Sequence, residues 1–160
     1  GTYAVQMARH FGAEVTAVCS AANMEWVRAL GAKEVIDYTA PDFRQQLTSY
    51  DVVFEAVDKL SFAISERVLA PRGTYVSITN PFPAWPQLRA KLFSQKKIMM
   101  AESIVDDLAP MDTLREWLEA GIIRPVIDRQ YELDEIVAAH RYVDQGHKKG
   151  NVAIRLLHED

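Results

Sequence analysis

The chain has 160 residues, of which 49% are apolar and 25% charged, and its formal net charge is −4. This composition is typical of an ordinary globular domain and excludes disordered, collagen-like and coiled-coil proteins. The chain has no long basic run, so we expect no nucleic-acid partner. No apolar stretch approaches the roughly 20 residues of a membrane helix, so we expect no membrane partner. A lone cysteine, Cys19, and the lack of a signal-peptide pattern favour a reducing, cytoplasmic setting.

Helix and strand patterns alternate along the first part of the chain. The predicted elements are a helix over 4–11, a strand over 15–19, a helix over 23–30, a strand over 34–37 and a helix from Pro41. Asn23 is expected to cap the second helix with its side chain, and Pro41 stands where its missing N–H costs nothing. The strand over 15–19 is apolar on both faces, which is typical of a strand buried between two helix layers.

The alternation continues through the middle of the chain. The predicted elements are a strand over 51–57, a helix over 61–69, a turn at 71–73, a strand over 74–78, a loop over 80–86, a helix over 87–94 and a strand over 97–103. The run 51–57 again predicts a buried strand. Because parallel neighbours need a covering helix to return the chain, the alternation predicts an α/β fold with a doubly wound parallel sheet.

The last part of the chain adds two helices and two strands. The predicted elements are a helix from Pro110 to Gly121, a strand over 126–131, a helix capped by Asp134 and a closing strand over 152–156. His140 lies on the apolar stripe of its helix, and we expect it to be a core imidazole rather than a catalyst.

Gly1 directly opens an amphipathic helix that a buried strand follows. This is what remains of a dinucleotide-binding fingerprint once its strand and first two glycines are removed. The alternative is that Gly1 is a glycine left by an expression vector.

The end of the first buried strand offers a second nucleotide signal. A fold that selects NAD places Asp or Glu there to bind the ribose hydroxyls, whereas this chain has Ser20 and, three residues on, Asn23. The Ser20 hydroxyl and the Asn23 amide could donate hydrogen bonds to a 2′-phosphate, which favours NADP. The alternative is that both residues only form the turn and the helix cap.

No metal or catalytic motif is present. Cys19 and the four histidines are scattered without metal-ligand spacing, so we expect no metal site in this chain. Asp106 and Asp107 are expected to precede a helix rather than to form an acid/base pair. No nucleophile elbow, P-loop or Ser/His/Asp grouping can be picked out, and the catalytic residues are therefore unknown.

Several ordered blocks resemble the medium-chain dehydrogenase/reductase superfamily, and most closely its quinone-oxidoreductase-like, zinc-independent branch. They begin with Gly1-Thr2-Tyr3-Ala4 and include Leu30-Gly31-Ala32 and Leu69-Ala70-Pro71-Arg72-Gly73. The blocks are 1–8, 11–15, 30–38, 51–57, 69–73, 131–140 and 146–152.

The resemblance implies a Rossmann domain that carries NADPH. It makes Gly1 the last glycine of the family's A-x-x-G-x-x-G loop, and it places Ser20 beside the 2′-phosphate, Asn23 where some members have Lys, and Tyr38 by the adenosine phosphate. It also places four residues beside the nicotinamide half of the cofactor: Ala56, Val57, Thr79 and Asn80. Two residues depart from the family pattern, Asp58 in place of Gly and Asn151 in place of Lys.

The resemblance also implies a domain division. Residues 1–122 would form an NADP-binding Rossmann domain that is incomplete, since its first strand and most of the glycine loop are absent. Residues 123–160 would return to complete a catalytic domain, and without that domain the chain alone is expected to be inactive. The strand over 97–103 is expected at the sheet edge, where family members form a homodimer.

The leading hypothesis is an oxidoreductase that transfers a hydride from NADPH to a small-molecule substrate, either a quinone or an activated, enone-type double bond. One alternative is a zinc-dependent alcohol dehydrogenase whose metal ligands lie outside this chain. Another is a non-catalytic domain that binds a nucleotide or a partner. A methyltransferase is a weaker alternative, because such sites usually have an acidic residue where Ser20 lies.

Overall fold

The computed structural model describes residues 1–57, 60, 62–78, 95–100, 109–146 and 148–156. The chain divides into two compact units. One unit consists of Thr39–Asp107 together with Gly1, and the other consists of Thr2–Tyr38 and Leu108–Asp160. The predicted boundary between residues 122 and 123 concerns a return to another domain, and it stays a prediction.

Helices and strands alternate through the described residues. In chain order they are α1 (Thr2–His10), β1 (Thr16–Cys19), α2 (Met24–Ala29), β2 (Glu34–Asp37), β3 (Tyr50–Glu55), α3 (Phe62–Val68), β4 (Leu69–Ser77), β5 (Lys97–Met100), α4 (Ala109–Glu119), β6 (Ile127–Glu132), α5 (Ile136–Asp144) and β7 (Asn151–Arg155). Short 3-10 turns cover Ala21–Asn23, Phe43–Gln45 and Leu133–Glu135.

All the strand pairs among the described residues are parallel. They form three sheets, with the strand orders β1-β2, β3-β4-β5 and β6-β7. The predicted α/β class with parallel strands is therefore confirmed. In the three-stranded sheet β5 is an edge strand, as the sequence predicts.

The core of the 39–107 unit lies on one face of β3 and β4. Val53, Leu69 and Tyr75 are buried there, and the Phe62 ring of α3 meets the Tyr75 ring edge-on at 5.3 Å between centroids. The prediction that this strand is buried on both faces is wrong, because Val52 is 59% and Phe54 44% exposed. Phe62 and Val68 of α3 pack on the face of Val53 and Tyr75, whereas the side chains that alternate with Val53 on β3 are exposed.

The predicted Pro71-Arg72-Gly73 turn lies within β4 rather than before it. Tyr50 is opposite Leu69, whereas Val52 is opposite Thr74, so the pairing with β3 has a register shift at this point. Arg72 has a positive φ of 67°, which is a turn conformation. The turn is therefore a bulge inside a longer strand.

Three other local predictions are wrong. Pro41 opens no helix, and only the 3-10 turn Phe43–Gln45 follows it. Asp134 lies inside a 3-10 turn, where the cap contact runs from the Glu132 N–H to the Glu135 carboxylate at 3.0 Å instead. His140 is exposed rather than in the core, because its neighbour Ala139 occupies the buried side of α5. The predicted helix over 87–94 and the Asp106-Asp107 pair lie outside the described residues.

Helix α1 is bound to the later part of its own unit by polar side chains. The Gln6 side chain is 7% exposed, and its amide nitrogen donates to the Arg124 carbonyl at 3.1 Å while its oxygen accepts the Arg124 N–H at 2.8 Å. Asn151, which departs from the family pattern, donates to the Tyr3 hydroxyl at 2.8 Å and to the Val126 carbonyl at 3.2 Å. These contacts give Asn151 a packing role that the sequence does not reveal.

A carboxylate connects β6, α5 and the segment between α5 and β7. Asp128 accepts the Tyr142 hydroxyl at 2.6 Å and the Lys149 N–H at 2.7 Å. The Arg129 guanidinium lies 3.9 Å from the centroid of the Tyr142 ring. These bonds stabilise the connection between α5 and the last strand of this unit.

Candidate cofactor site

Two of the predicted site residues meet at one edge of the β1-β2 sheet. Cys19 is opposite Asp37 in the parallel register, so the next residues, Ser20 and Tyr38, follow the carboxyl ends of neighbouring strands. The Tyr38 N–H donates to the Cys19 carbonyl at 3.0 Å, which holds the two strand ends together. Ligands of open α/β sheets bind outside the carboxyl ends of the strands, so Ser20 and Tyr38 lie where a nucleotide could be bound.

Asn23 belongs to the same group but not in the predicted way. The prediction that its side chain caps α2 is wrong, since the structure has no such bond at the start of the helix. Instead its amide nitrogen donates to the Ser20 hydroxyl oxygen at 3.1 Å, and its amide oxygen accepts the indole N–H of Trp26 at 3.0 Å. The amide therefore lies between two side chains, of which sequence reasoning missed Trp26.

Charges of both signs act on this strand end. Burial raises the pKa of the Cys19 thiol, the Asp37 carboxylate raises that pKa further, and the Arg28 guanidinium lowers it. Both ions are therefore within electrostatic reach of the residue before Ser20. No sequence signal marks Arg28 for this role, because its spacing of five residues from Asn23 does not place the two side chains on one face of a helix.

The end of β3 carries two further predicted residues, Ala56 and Val57, in the other unit. Val57 is 63% exposed, and its N–H donates to one oxygen of the Glu55 carboxylate at 2.8 Å. The other oxygen accepts the Leu60 N–H at 2.9 Å. Glu55 is only 5% exposed, so a buried carboxylate determines the shape of the segment after β3.

Glu55 is a positioning residue that sequence reasoning missed. In a run of apolar residues it reads as part of the strand, and no motif marks it. Its alternation with Val53 on the inward face of β3 is the signal that could have found it.

The remaining predicted residues contribute less. Thr79, Asn80 and Asp58 lie outside the described residues. Gly1 is exposed, and a Cβ added there would meet no atom within 4 Å. The close packing that a fingerprint glycine permits is therefore not seen on the protein side, and its role in binding stays a prediction.

One cleft in the unit of α1, α2 and α4 is lined by none of the predicted site residues. It has a volume of about 440 Å³ and is lined by Gln6, Arg9, His10, Ala29, Leu30, Gly121, Ile122 and Arg124. Apart from Gln6, which lies in the middle of α1, these residues lie near the C-terminal ends of the three helices, where free carbonyls carry partial negative charge. That partial charge disfavours an anionic cofactor, so we do not place the cofactor in this cleft.

The described residues also bear on a metal site and on a membrane-spanning helix. Over the described ranges, no three or more His, Cys, Asp or Glu side chains are grouped so that they could hold a metal ion. Among those ranges there is also no helix with the length and hydropathy needed to cross a membrane.

The family comparison covers most of the chain. Residues 30–154 match the family model described as zinc-binding dehydrogenase. The solved structure of a quinone oxidoreductase from Coxiella burnetii superposes with a TM-score of 0.82 at 24% identity, covering 98% of this chain and 49% of that one. An NAD-dependent alcohol dehydrogenase superposes with the same TM-score, 0.82, at 21% identity, covering 98% of this chain and 48% of that one.

Curated relatives agree with this comparison. A chloroplast envelope quinone oxidoreductase homolog of Arabidopsis thaliana is 29% identical over 96% of this chain and 48% of its own length. The mitochondrial NAD(P)H oxidoreductase RTN4IP1 of Mus musculus is 28% identical over 98% of this chain and 45% of its own length. A 2-methylene-furan-3-one reductase of Solanum lycopersicum is 30% identical over 96% of this chain and 37% of its own length.

The parallel strands, their covering helices and these superpositions define an α/β fold of the Rossmann type. The chain belongs to the zinc-binding dehydrogenase family, within the medium-chain dehydrogenase/reductase superfamily, and the predicted resemblance is confirmed. It spans about half the length of the first curated relatives that it matches.

Proposed function

We propose that this chain is the nicotinamide-nucleotide-binding part of an oxidoreductase that transfers a hydride from NADPH to a quinone or to an activated, enone-type double bond. The observation that carries the proposal is the Ser20 hydroxyl at the carboxyl end of β1, in the place where an NAD-selective fold has a carboxylate. Relatives named as quinone oxidoreductases, an NAD(P)H oxidoreductase and a furanone reductase support the reaction class.

Each of the two units, taken by itself, has residues that suit one half of a nicotinamide nucleotide. Ser20 and Tyr38 would face the adenosine half, with Arg28 as the nearby cation. Ala56 and Val57 would border the nicotinamide half, on a segment that the Glu55 carboxylate shapes. When bound, the nicotinamide supplies the hydride, and these residues supply orientation and electrostatics.

Cofactor preference tests the proposal directly. Isothermal titration of the whole protein should give a lower Kd for NADPH than for NADH. Ser20→Asp should weaken NADPH binding by at least about tenfold, because a carboxylate repels the 2′-phosphate. Ser49→Asp, at an exposed serine, adds the same charge elsewhere and should leave both affinities unchanged. Equal binding of the two cofactors by the unmodified protein contradicts the proposal.

An alternative substrate class has its own support. The family description names zinc, and one superposed structure is an NAD-dependent alcohol dehydrogenase. An alcohol dehydrogenase of this kind would have metal ligands outside the described residues. Metal analysis of the whole protein together with alcohol-oxidation and quinone-reduction assays distinguishes the two.

Assembly and location complete the proposal. Among the described strands β5 lies at the edge of its sheet, with Met99 exposed. The outer side of an edge strand can pair with a second copy, so we propose a homodimer. A monomeric mass in light scattering at tens of micromolar protein contradicts it. The exposed Ile127 and Leu156 support the proposed return of 123–160 to a further domain. The cytoplasmic setting stays a prediction, since the relatives above are named as chloroplast and mitochondrial proteins.

A further inference from the structure

Three side chains at the end of β1 form a continuous hydrogen-bonded chain. The Trp26 indole N–H donates to the Asn23 amide oxygen at 3.0 Å, and the Asn23 amide nitrogen donates to the Ser20 hydroxyl oxygen at 3.1 Å. The Asn23 backbone N–H also donates to the Ser20 carbonyl at 2.8 Å. Ser20 is therefore held by Asn23 through both its main chain and its side chain.

The local backbone explains why these three residues meet. Ser20 is extended, with φ −76° and ψ 156°, and the 3-10 turn Ala21–Asn23 follows it before α2 begins. Residues three apart lie above one another in a 3-10 turn and lie close on an α-helix. Ser20, Asn23 and Trp26 have this spacing, so they fall on one side of the turn. Because the Ser20 side chain makes no cap bond to the turn, its oxygen is available to the Asn23 amide.

The chemistry of the groups sets the direction of the chain. An indole nitrogen can only donate, so the Asn23 atom that faces Trp26 must be the oxygen. The other end of the amide must then be the nitrogen, which also can only donate, and the Ser20 oxygen must accept. The hydroxyl hydrogen of Ser20 is consequently directed away from Asn23, toward another acceptor.

A phosphate is suited to such a directed donor. Phosphate oxygens only accept hydrogen bonds, whereas a ribose hydroxyl both donates and accepts and needs no fixed donor. We infer that Trp26 and Asn23 are positioning residues that orient the Ser20 hydroxyl toward the 2′-phosphate of the cofactor, so that selectivity for NADPH depends on an indole N–H that does not itself touch the cofactor. This inference rests on the proposed function, because it assumes that a nucleotide binds at the end of β1.

The inference changes the role expected of Asn23. Its oxygen and one N–H are already used within the protein, so its main contribution is to hold Ser20 and not to bind the phosphate directly. The chain of bonds also gives Trp26 a function that its apolar ring, taken as a packing residue of α2, does not indicate.

The test replaces the indole without removing the ring. Trp26→Phe keeps an aromatic side chain but deletes the N–H donor, and the Asn23 amide then loses its fixed orientation. We expect isothermal titration of the whole protein to show about three- to tenfold weaker NADPH binding, as for loss of an oriented hydrogen bond to a charged group. NADH binding should be unchanged, and so should the melting temperature to within a few degrees.

Trp117→Phe is the matched control. Trp117 lies in the same unit, where its ring meets those of His10 and Phe11 edge-on with centroids 5.3 and 5.7 Å away, and it has no bond to the Ser20 group among the described contacts. This variant should leave the ratio of the two Kd values unchanged.

A double-mutant cycle separates positioning from a general structural effect. If Trp26 acts through Ser20, Trp26→Phe should have no further effect on NADPH binding in a Ser20→Ala background. An unmodified protein that prefers NADPH, with Trp26→Phe leaving that preference intact, overturns this inference but not the proposed function. Full additivity of the two substitutions overturns it as well. An unmodified protein without preference for NADPH overturns both.

Discussion

The side-chain amide of Gln6 and the backbone of Arg124 exchange two hydrogen bonds, one in each direction, at 3.1 and 2.8 Å. The Gln6 side chain therefore pairs with the backbone of Arg124 as a neighbouring strand would, and it is buried. Gln6→Leu keeps the size but leaves the N–H and the carbonyl of Arg124 without these partners. We expect it to reduce the free energy of unfolding by about 2 to 4 kcal/mol, measured by urea denaturation. Gln46→Leu, at an exposed glutamine, should change that free energy by less than about 0.5 kcal/mol.

Gly146 and Gly150 provide a matched pair for backbone strain. Both have positive φ, 74° and 126°, so alanine is disfavoured at both. At Gly146 a Cβ would meet no atom within 4 Å, whereas at Gly150 it would meet the carbonyl oxygen and side chain of Val126.

Gly150→Ala should therefore cost more than Gly146→Ala. We expect about 1 kcal/mol at Gly146 and at least about 3 kcal/mol at Gly150, measured by chemical denaturation. The Val126 carbonyl cannot move freely, because it accepts the Asn151 N–H at 2.7 Å. Similar losses at the two positions would show that the junction between β6 and β7 can relax.

Replacement of the Glu55 carboxylate by an amide should reduce the stability of the protein. Each of its oxygens accepts a backbone N–H, from Val57 and from Leu60. In Glu55→Gln, one of these N–H groups must face an amide NH2 instead of an oxygen. We expect a loss of about 1 to 3 kcal/mol in unfolding free energy, and faster amide exchange at Val57 and Leu60. Glu34→Gln, at an exposed strand residue, should leave both measurements unchanged.

The Asp128 carboxylate should make the free energy of unfolding depend on pH in the acidic range. The hydrogen bond from the Tyr142 hydroxyl, followed by that from the Lys149 N–H, lowers the pKa of this carboxyl. A lowered pKa in the folded state means that the stabilisation is present above the unfolded value and is lost as the pH falls through the folded value.

Removal of that carboxylate should weaken the acid dependence. We expect the fall in unfolding free energy between about pH 6 and pH 3 to be smaller in Asp128→Asn than in the unmodified protein. Tyr142→Phe should raise the pKa of Asp128 toward its ordinary value, which an NMR titration of the carboxyl carbon measures. An unchanged titration in Tyr142→Phe would mean that the Lys149 N–H and the charges of Arg129 and Lys149 lower this pKa without the Tyr142 hydroxyl.

The ends of helices were among the features that the sequence predicted well. The predicted helices over 4–11, over 23–30 and from Pro110 to Gly121 end close to the ends of α1, α2 and α4. A glycine with positive φ stands at each of these ends, namely Gly12, Gly31 and Gly121. Parallel strands were predictable as well, since apolar runs between helices leave few other topologies.

The starts of helices were harder to predict. A polar residue before a helix has several partners to choose from. Asn23 binds Ser20 and Trp26 instead of the helix N–H groups, and Asp134 yields the cap contact to Glu135. The choice depends on side chains a turn away, which single-residue preferences do not include.

The candidate site divides in the same way. Ser20 and Tyr38 were predictable because they directly follow strands whose carboxyl ends must lie at one edge. Trp26 and Arg28 were not, because their roles depend on a hydrogen bond and a charge that only the folded backbone brings within reach. Glu55 was indicated only by its alternation with Val53, and its two backbone partners became visible only in the folded chain.

The Tyr3–Asn151 and Gln6–Arg124 bonds have a consequence for biosynthesis. They join residues separated by 148 and 118 positions in the chain. A ribosome adds about 5 to 20 residues per second, so α1 waits roughly 7 to 30 s between its own synthesis and that of its last partner. During that interval the Gln6 amide lacks the Arg124 backbone groups that it binds in the folded chain. The packing of α1 is therefore completed only after these later partners have been made, and a chaperone that binds the nascent chain could reach the helix until then.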